Sequence, residues 1–247
     1  MKPIFPFLLL SVLAIVVFGC AGNNVATQKT SAESQFLELA ERHSTELTSH
    51  AALLRVKVKR DRRIDDFRVE IFSRQGGDLS LYVRGFLGTA VFKAVVSGDL
   101  LTCYFPREKR FFSGQVEDLE TGSLSDSRHI IDVLLNYYRG GYELPTGEAW
   151  EVHVSKKKRA FAIDLVDSIH WLKFDARIIS NPKKFPYLHM ETIKLESSDH
   201  GFMANIAVQS SSFNRELPDE KFELDIPEGA FVLTREDLAD LLTNLAQ

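Results

Sequence analysis

The sequence predicts a mainly β (α+β) protein: one antiparallel curved sheet of about 11–12 strands, forming an open half-barrel with a helical lid. Three observations point there. Apolar and polar residues alternate strictly in many short segments, as in Leu54-Arg55-Val56-Lys57-Val58-Lys59 and Leu172-Lys173-Phe174-Asp175-Ala176-Arg177-Ile178, which buries one face and wets the other. Tight-turn residues separate these segments, so sequence neighbours pair antiparallel. Only two or three stretches carry helical periodicity, too few to cover both faces of so large a sheet.

The first helix is expected over Ser34 to Ser49, where Phe36, Leu37, Leu39, Ala40 and Leu47 fall among charged residues. Strands follow at Leu54–Lys59 and Phe67–Ile71. Gly76-Gly77 turns into Leu79–Arg84, and Gly85-Phe86-Leu87-Gly88 leads to Thr89–Val96. Ser97-Gly98-Asp99 turns into Leu100–Phe105, and Pro106 to Lys109 turns into Arg110–Gly114. Asp126 is an N-cap for a helix through Tyr138, ended by Gly140-Gly141. Its apolar residues nearly encircle it, so it must be covered on most sides. Strands resume at Trp150–Val154, Phe161–Leu165, Leu172–Ile178, Tyr187–Glu196, Phe202–Gln209 and Phe222–Ile226. Thr234-Arg235-Glu236-Asp237 resembles a capping box, followed by a stripe of Leu238, Leu241, Leu242 and Leu245.

Ahead of this domain, Lys2 precedes an apolar run, Ile4 to Phe18, shorter than the roughly 20 residues a spanning helix needs. It reads as a signal peptide. Val17-Phe18-Gly19-Cys20 resembles the lipobox of bacterial lipoproteins, with Phe18 in place of the usual small residue. That resemblance implies a diacylglycerol thioether on Cys20, the one covalent lipid and the only prosthetic group expected. Ala21 stands where an aspartate retains some lipoproteins at the inner membrane, so the resemblance favours the outer membrane, facing the periplasm. The organisation expected is signal peptide 1–19, flexible tether 20–34, half-barrel 35–230 and C-terminal amphipathic helix 231–247.

Composition narrows the function. A net charge of −4 with no concentrated basic face argues against nucleic acid. Phe, at 18 residues against 6 Tyr and 2 Trp, suits a large apolar interior. With Cys20 acylated, Cys103 is a lone thiol in an apolar run, a buried small hydrophobe rather than a nucleophile. No catalytic signature, phosphate loop or His/Cys metal spacing occurs, so neither an enzyme nor a metal site is expected.

The stretch Leu79 to Val95, Leu-x-Leu-x-Val-x-Gly-Phe-Leu-Gly-Thr-x-x-Phe-x-Ala as it stands here, resembles the third and fourth strands of LolB. Lys109-Arg110-Phe111-Phe112, the Asp126–Tyr138 helix and the paired segments of Lys183 to Ser212 resemble the same family. Phe222-Glu223-Leu224-Asp225-Ile226-Pro227-Glu228-Gly229 is similar to a closing strand of the LolA/LolB superfamily. Uncharacterised lipoproteins of the DUF4292 type are a similar alternative. Phe86 replaces the family's loop proline, and the leucine-rich C-terminal helix is an addition.

This resemblance implies a half-barrel whose apolar cavity receives acyl chains from a LolA-like periplasmic carrier and helps insert them into the outer membrane. Val56, Val58, Val69, Ile71, Leu81, Val83, Phe92, Phe174, Ile178, Phe202 and Ile206 would line it. Ile130, Ile131, Leu134, Leu135 and Tyr138 would form the lid, and Gly85, Phe86, Leu87 and Gly88 the loop that touches lipid. Partners would be the membrane and a lipidated protein or lipid cargo, with the chain itself a monomer. Alternation alone fits a packed core equally well, and the loop's two apolar residues could instead fold inward. The alternative function is a non-transporting envelope lipoprotein, a scaffold with a solid core. Lys156-Lys157-Lys158-Arg159 reads as a solvated hairpin tip, with anionic headgroups as the second reading.

Overall fold

A computed structural model describes residues 31–60, 63–85, 87–115, 136–137, 139–145, 150–167, 172–197 and 202–238. Cys20, the signal peptide and most of the tether lie outside the described residues. So do Phe86, the lid residues Ile130, Ile131, Leu134, Leu135 and Tyr138, the Phe202 side chain, and the C-terminal helix beyond Leu238.

Helix α1, Ser31–Glu46, begins three residues before the expected start at Ser34. Eleven antiparallel strands follow: β1 (Ser49–Arg60), β2 (Arg63–Arg74), β3 (Leu79–Arg84), β4 (Ala90–Ser97), β5 (Leu100–Phe105), β6 (Arg110–Gln115), β7 (Trp150–Lys157), β8 (Ala160–Asp167), β9 (Leu172–Ser180), β10 (Leu188–Ser197) and β11 (Phe202–Phe213). β12 (Phe231–Val232) pairs parallel with β6. They form one sheet ordered β12-β6-β5-β4-β3-β2-β1-β11-β10-β9-β8-β7, whose two ends do not pair. An unclosed sheet of this size, apolar along one face, curls around that face: an open half-barrel.

Alternation sets which side is in. In β9 the residues Leu172, Phe174, Ala176, Ile178 and Ser180 are buried, and those between them are exposed or half-buried. The register joins these inward rows across strands: Leu54 faces Val69, Val69 faces Val83, and Val83 faces Phe92. On the other flank Val56 faces Ile206, Ile206 faces Ile193, and Leu195 faces Phe174. Helix α1 lies across one end of this interior. Phe36 stands edge-on to Phe161 of β8 with centroids 5.3 Å apart, and Leu188 N of β10 donates to His43 Nδ1 at 3.3 Å.

Two expectations require correction. Phe222–Ile226 is not a strand: a 3-10 turn, Asp219–Phe222, precedes extended chain that packs on the outer side of β2 and β3. There Arg74 lies 4.4 Å over the Phe222 ring, Lys221 lies 4.8 Å over Phe72, and Tyr82 Oη reaches Glu223 O at 3.5 Å. Phe222, Leu224 and Ile226 are buried or half-buried and the residues between them exposed, so the period of two survives without a ladder. The last strand is instead Phe231–Val232, inside the segment assigned to the C-terminal helix; helical turns begin only at Arg235. Thr234 and Asp237 do cap that start reciprocally, with Asp237 N donating to Thr234 Oγ1 at 3.1 Å and Thr234 N to Asp237 Oδ2 at 3.1 Å.

β1 begins five residues before the expected Leu54 because Asn214 clamps its entry. Asn214 Oδ1 accepts from Thr48 N at 2.8 Å, its Nδ2 donates to Glu46 O at 2.7 Å, and its N donates to Ser49 O at 2.8 Å. Its φ of 53° lies in the left-handed region that Asn tolerates better than most residues. Asn214→Ala removes all three side-chain bonds, the third being Thr48 Oγ1 donating to Oδ1 at 3.2 Å, and leaves a strained φ, an expected loss of about 1–2 kcal/mol. Urea denaturation measures it, and Asn214→Gly separates the backbone term because glycine keeps the φ.

Candidate functional site

Ten of the eleven residues expected to line the interior have described side chains, and all ten point inward. Val56, Val58, Val69, Ile71, Leu81, Val83, Phe92, Phe174, Ile178 and Ile206 are 0–6% exposed. They belong to one continuous apolar cluster that also takes in Phe36, Leu39 and Ala40 of α1 together with Tyr137, Tyr142, Leu233 and Leu238. The face is covered in this state.

The covering residues have identifiable partners. Tyr137, at the end of the expected lid, stands edge-on to Phe174 (5.3 Å) and to Tyr142 (5.6 Å). Its hydroxyl has no hydrogen-bond partner, and burial pushes its ionisation far above the usual tyrosine range. Tyr142 is better served, its hydroxyl accepting from Met190 N at 3.1 Å. The turn between them is tight. Asn136 Oδ1 accepts from Glu143 N at 2.6 Å, Gly140 has φ +85°, and a Cβ on Gly141 would lie 2.7 Å from the Asn136 side chain. Gly140 is thus required by its φ, and a Cβ at Gly141 would push Asn136 off its bond with Glu143 N.

In the β3–β4 loop, Gly85 N donates to Thr89 O at 2.9 Å and Gly88 N to Gly85 O at 2.9 Å, closing the turn. Only Gly88 uses a positive φ, +75°. Leu87 is 82% exposed, the most exposed of the large apolar side chains described. It does not fold inward.

Sequence reasoning missed a histidine cluster beneath α1. His43 is fully buried, stacked on Phe185 (5.0 Å) and edge-on to Tyr142 and Phe213. Phe213 in turn stacks on His50 (4.6 Å) and meets the edge of His189, whose Nδ1 lies 3.0 Å from Ser211 Oγ. His43 Nε2 has no partner. Burial first, then the neighbouring His50 and His189, lower its pKa to about 4, so it is neutral at physiological pH. Residues 43, 50 and 189 share no local spacing, and only the docking of α1 against β1 and β10 joins them.

Elsewhere the polar chemistry is dispersed. Asp164 and Asp175 face each other across β8 and β9, and burial, then Asp175, pushes the Asp164 carboxyl up. They sit on the outer face beside Lys173, 3.5 Å from Asp175. Cys103 is a fully buried free thiol whose ionisation burial pushes up, as expected of a core residue. Among the described residues no cluster of three or more His, Cys, Asp or Glu is placed to hold a metal ion, and no helix is long and apolar enough to cross a membrane. The tip at Lys156–Arg159 is exposed, and Lys156 Nζ donates to Gln35 Oε1 of α1 at 2.9 Å.

No family model and no curated protein matches the chain. Solved structures do. The chain is similar to an uncharacterised conserved protein from Thermus thermophilus, at 8% identity and a TM-score of 0.47, covering 81% of this chain and 97% of that one. It is similar to a DUF1329 family protein from Desulfovibrio piger, at 11% identity and a TM-score of 0.45, covering 78% and 98%. A LolA superfamily protein from Nitrosomonas europaea is matched at 11% identity and a TM-score of 0.43, covering 79% and 99%.

Proposed function

We propose that this chain is an outer-membrane-anchored lipoprotein that binds acyl chains of lipoproteins or lipids and helps insert them into the outer membrane. The observation that carries the reading is the inward face: one continuous apolar cluster on an unclosed sheet, with buried Ser73, Asp167, Ser180 and Ser197 at the ends of its rows, covered by α1 and by the Tyr137–Tyr142 turn rather than by a second sheet. The LolB-like motifs of Leu79–Val95 and the lipobox-like Gly19-Cys20 support it from the sequence. A covered face receives hydrocarbon only when its cover moves, and the expected lid helix, Asp126–Tyr138, is the piece to move. No covalent chemistry is required. Cargo handed over by a LolA-like carrier proceeds to the bilayer because its chains have a lower free energy there than against the sheet.

Leu87 has an assigned part: an apolar side chain held out on a closed turn, worth ~1.5–3 kcal/mol when buried, enough to dip into lipid but not to anchor the protein. Leu87→Glu is expected to leave acyl binding intact and to abolish delivery of a lipidated protein to acceptor vesicles. Delivery at the wild-type rate would remove the loop from the mechanism.

The near-complete burial of the inward residues favours one rival reading, a tethered scaffold with a solid core. An environment-sensitive acyl probe separates the two. A carrier binds it saturably, and a scaffold shows only weak, unsaturable partition.

A further inference from the structure

Five large apolar side chains are exposed among the described residues: Ile64, Leu87, Leu100, Phe231 and Val232. Single exposed apolar residues need no explanation. Four of these five, however, fall at one end of the sheet. Ile64 follows the β1–β2 turn, Leu87 tips the β3–β4 loop, and Phe231 and Val232 lie alongside Arg110 and Phe111 just past the β5–β6 turn. Leu100, at 47% exposed, is at the opposite end and is the least exposed of the set.

The register shows how these turns come level. Leu53, Glu70, Tyr82, Lys93 and Tyr104 form one row across β1 to β5. From that row β1 runs on to Arg60, whereas β5 runs on only to Phe105. The edge thus steps back about six residues over four strand spacings, roughly 20 Å against 19 Å, a slope near 45°. Strands of a barrel tilt by ~35–45° to its axis, and a step of this size matches the stagger of turns along one rim. The β1–β2, β3–β4 and β5–β6 turns therefore lie along one rim of the sheet.

Basic side chains flank the apolar ones. Lys59, Arg60 and Arg63 stand at the β1–β2 turn, and Arg107, Lys109 and Arg110 at the β5–β6 turn. The nearby acids are Asp65, which pairs with Arg63 at 3.0 Å, Glu108, Glu228 just ahead of Phe231, and Asp237, which Arg110 reaches electrostatically, so six described basic side chains stand against four acids. Apolar residues at the tip with cations behind them match a bilayer surface carrying anionic headgroups, where each basic side chain contributes ~1 kcal/mol.

We propose that this rim, Ile64, Leu87, Phe231 and Val232 backed by the basic turns, is a membrane-docking surface that stands the half-barrel on an anionic bilayer by its β1–β6 turns. The tether permits it. Helix α1 starts near Lys156, toward the opposite end, and the chain from Cys20 to Ser31 spans at most about 38 Å, close to the length of a 12-residue strand. The acyl anchor and the rim then share one bilayer. Docking goes beyond the proposed delivery role and stands without it, since the rim contains no inward residue.

The test places a single environment-sensitive label on the full lipidated chain at Ile64→Cys, Phe231→Cys or, as the control, Leu100→Cys; Cys103 is buried and Cys20 is acylated. In phosphatidylglycerol-containing vesicles bearing a quencher in the acyl region, labels at 64 and 231 are expected to blue-shift and be quenched several-fold more than the label at 100. Replacing Lys109 and Arg110 by Gln is expected to weaken docking about fivefold per charge removed. Equal quenching at all three positions overturns the proposal. So does shielding of the 64 and 231 labels that tracks protein concentration without vesicles, which would assign the rim to a second copy of the chain. Loss of acyl-probe binding with docking intact would fail the delivery reading alone.

Discussion

Tyr137→Ala is expected to cost about 3–5 kcal/mol, the penalty for truncating a fully buried aromatic, and to lower the melting temperature by roughly 10 °C. Tyr137 fills the space between Phe174 of the sheet and Tyr142 of the following turn. Removing its ring strips the inward face of one of its covers and leaves an apolar void above Phe174. The same substitution is therefore expected to tighten binding of an acyl probe while it loosens the fold. Opposite signs from one change distinguish a cover from ordinary core. Tyr137→Phe is the companion: it deletes only a buried hydroxyl that has no partner, so stability is expected to hold or rise slightly. Thermal melts and probe titrations on the two variants check both signs. A destabilised Tyr137→Ala with no gain in probe affinity would return Tyr137 to the role of structural filler.

Acidification is the second large effect. His43 has a pKa lowered to about 4 from the ordinary 6.5, chiefly because it is buried and secondarily because His50 and His189 face it. The unfolded chain binds this proton first. Stability is thus full above pH 6.5, falls as the pH drops toward 4, and is about 3 kcal/mol lower beyond that. The surroundings offer the imidazolium little. Glu46, the acid at the end of α1, is already engaged by Tyr187 Oη at 2.7 Å, and Arg42 lies 4.2 Å over the Tyr187 ring. His189 adds to the same trend, its own pKa lowered by burial. His43→Gln cannot titrate, while its side-chain oxygen still offers Leu188 N an acceptor. Urea denaturation of both proteins between about pH 4 and pH 7 measures the difference, and parallel pH profiles would show that another group controls the acid response.

What the sequence disclosed depended on range. Period-two alternation at β1, β2 and β9 reports a sheet face directly, so the eleven antiparallel strands and the inward set were legible from single segments. Where alternation is satisfied by something other than a ladder, it misleads: Phe222–Ile226 alternates between buried or half-buried and exposed residues, with Phe222 on the outside of β2, yet joins no ladder. Weakly apolar Ser49-His50-Ala51 carries no strand signal and is drawn into β1 by Asn214, far along the chain. The histidine cluster and the proposed docking rim escaped for the same reason, because each is assembled by register and docking between elements distant in sequence. Leu87 was legible because two glycines flank its loop locally. Ile64 and Phe231 were not, because nothing local to either says that they share an end of the sheet with it.

The account turns on whether the inward face admits hydrocarbon. The most direct measurement is photocrosslinking with an acyl chain carrying a diazirine near its terminus, followed by mapping of the modified residues. Saturable labelling concentrated on inward residues such as Ile71, Phe92 and Phe174, competed by unlabelled acyl chain, is the result expected. Labelling confined to the outer face or the rim, on a folded protein, would contradict it.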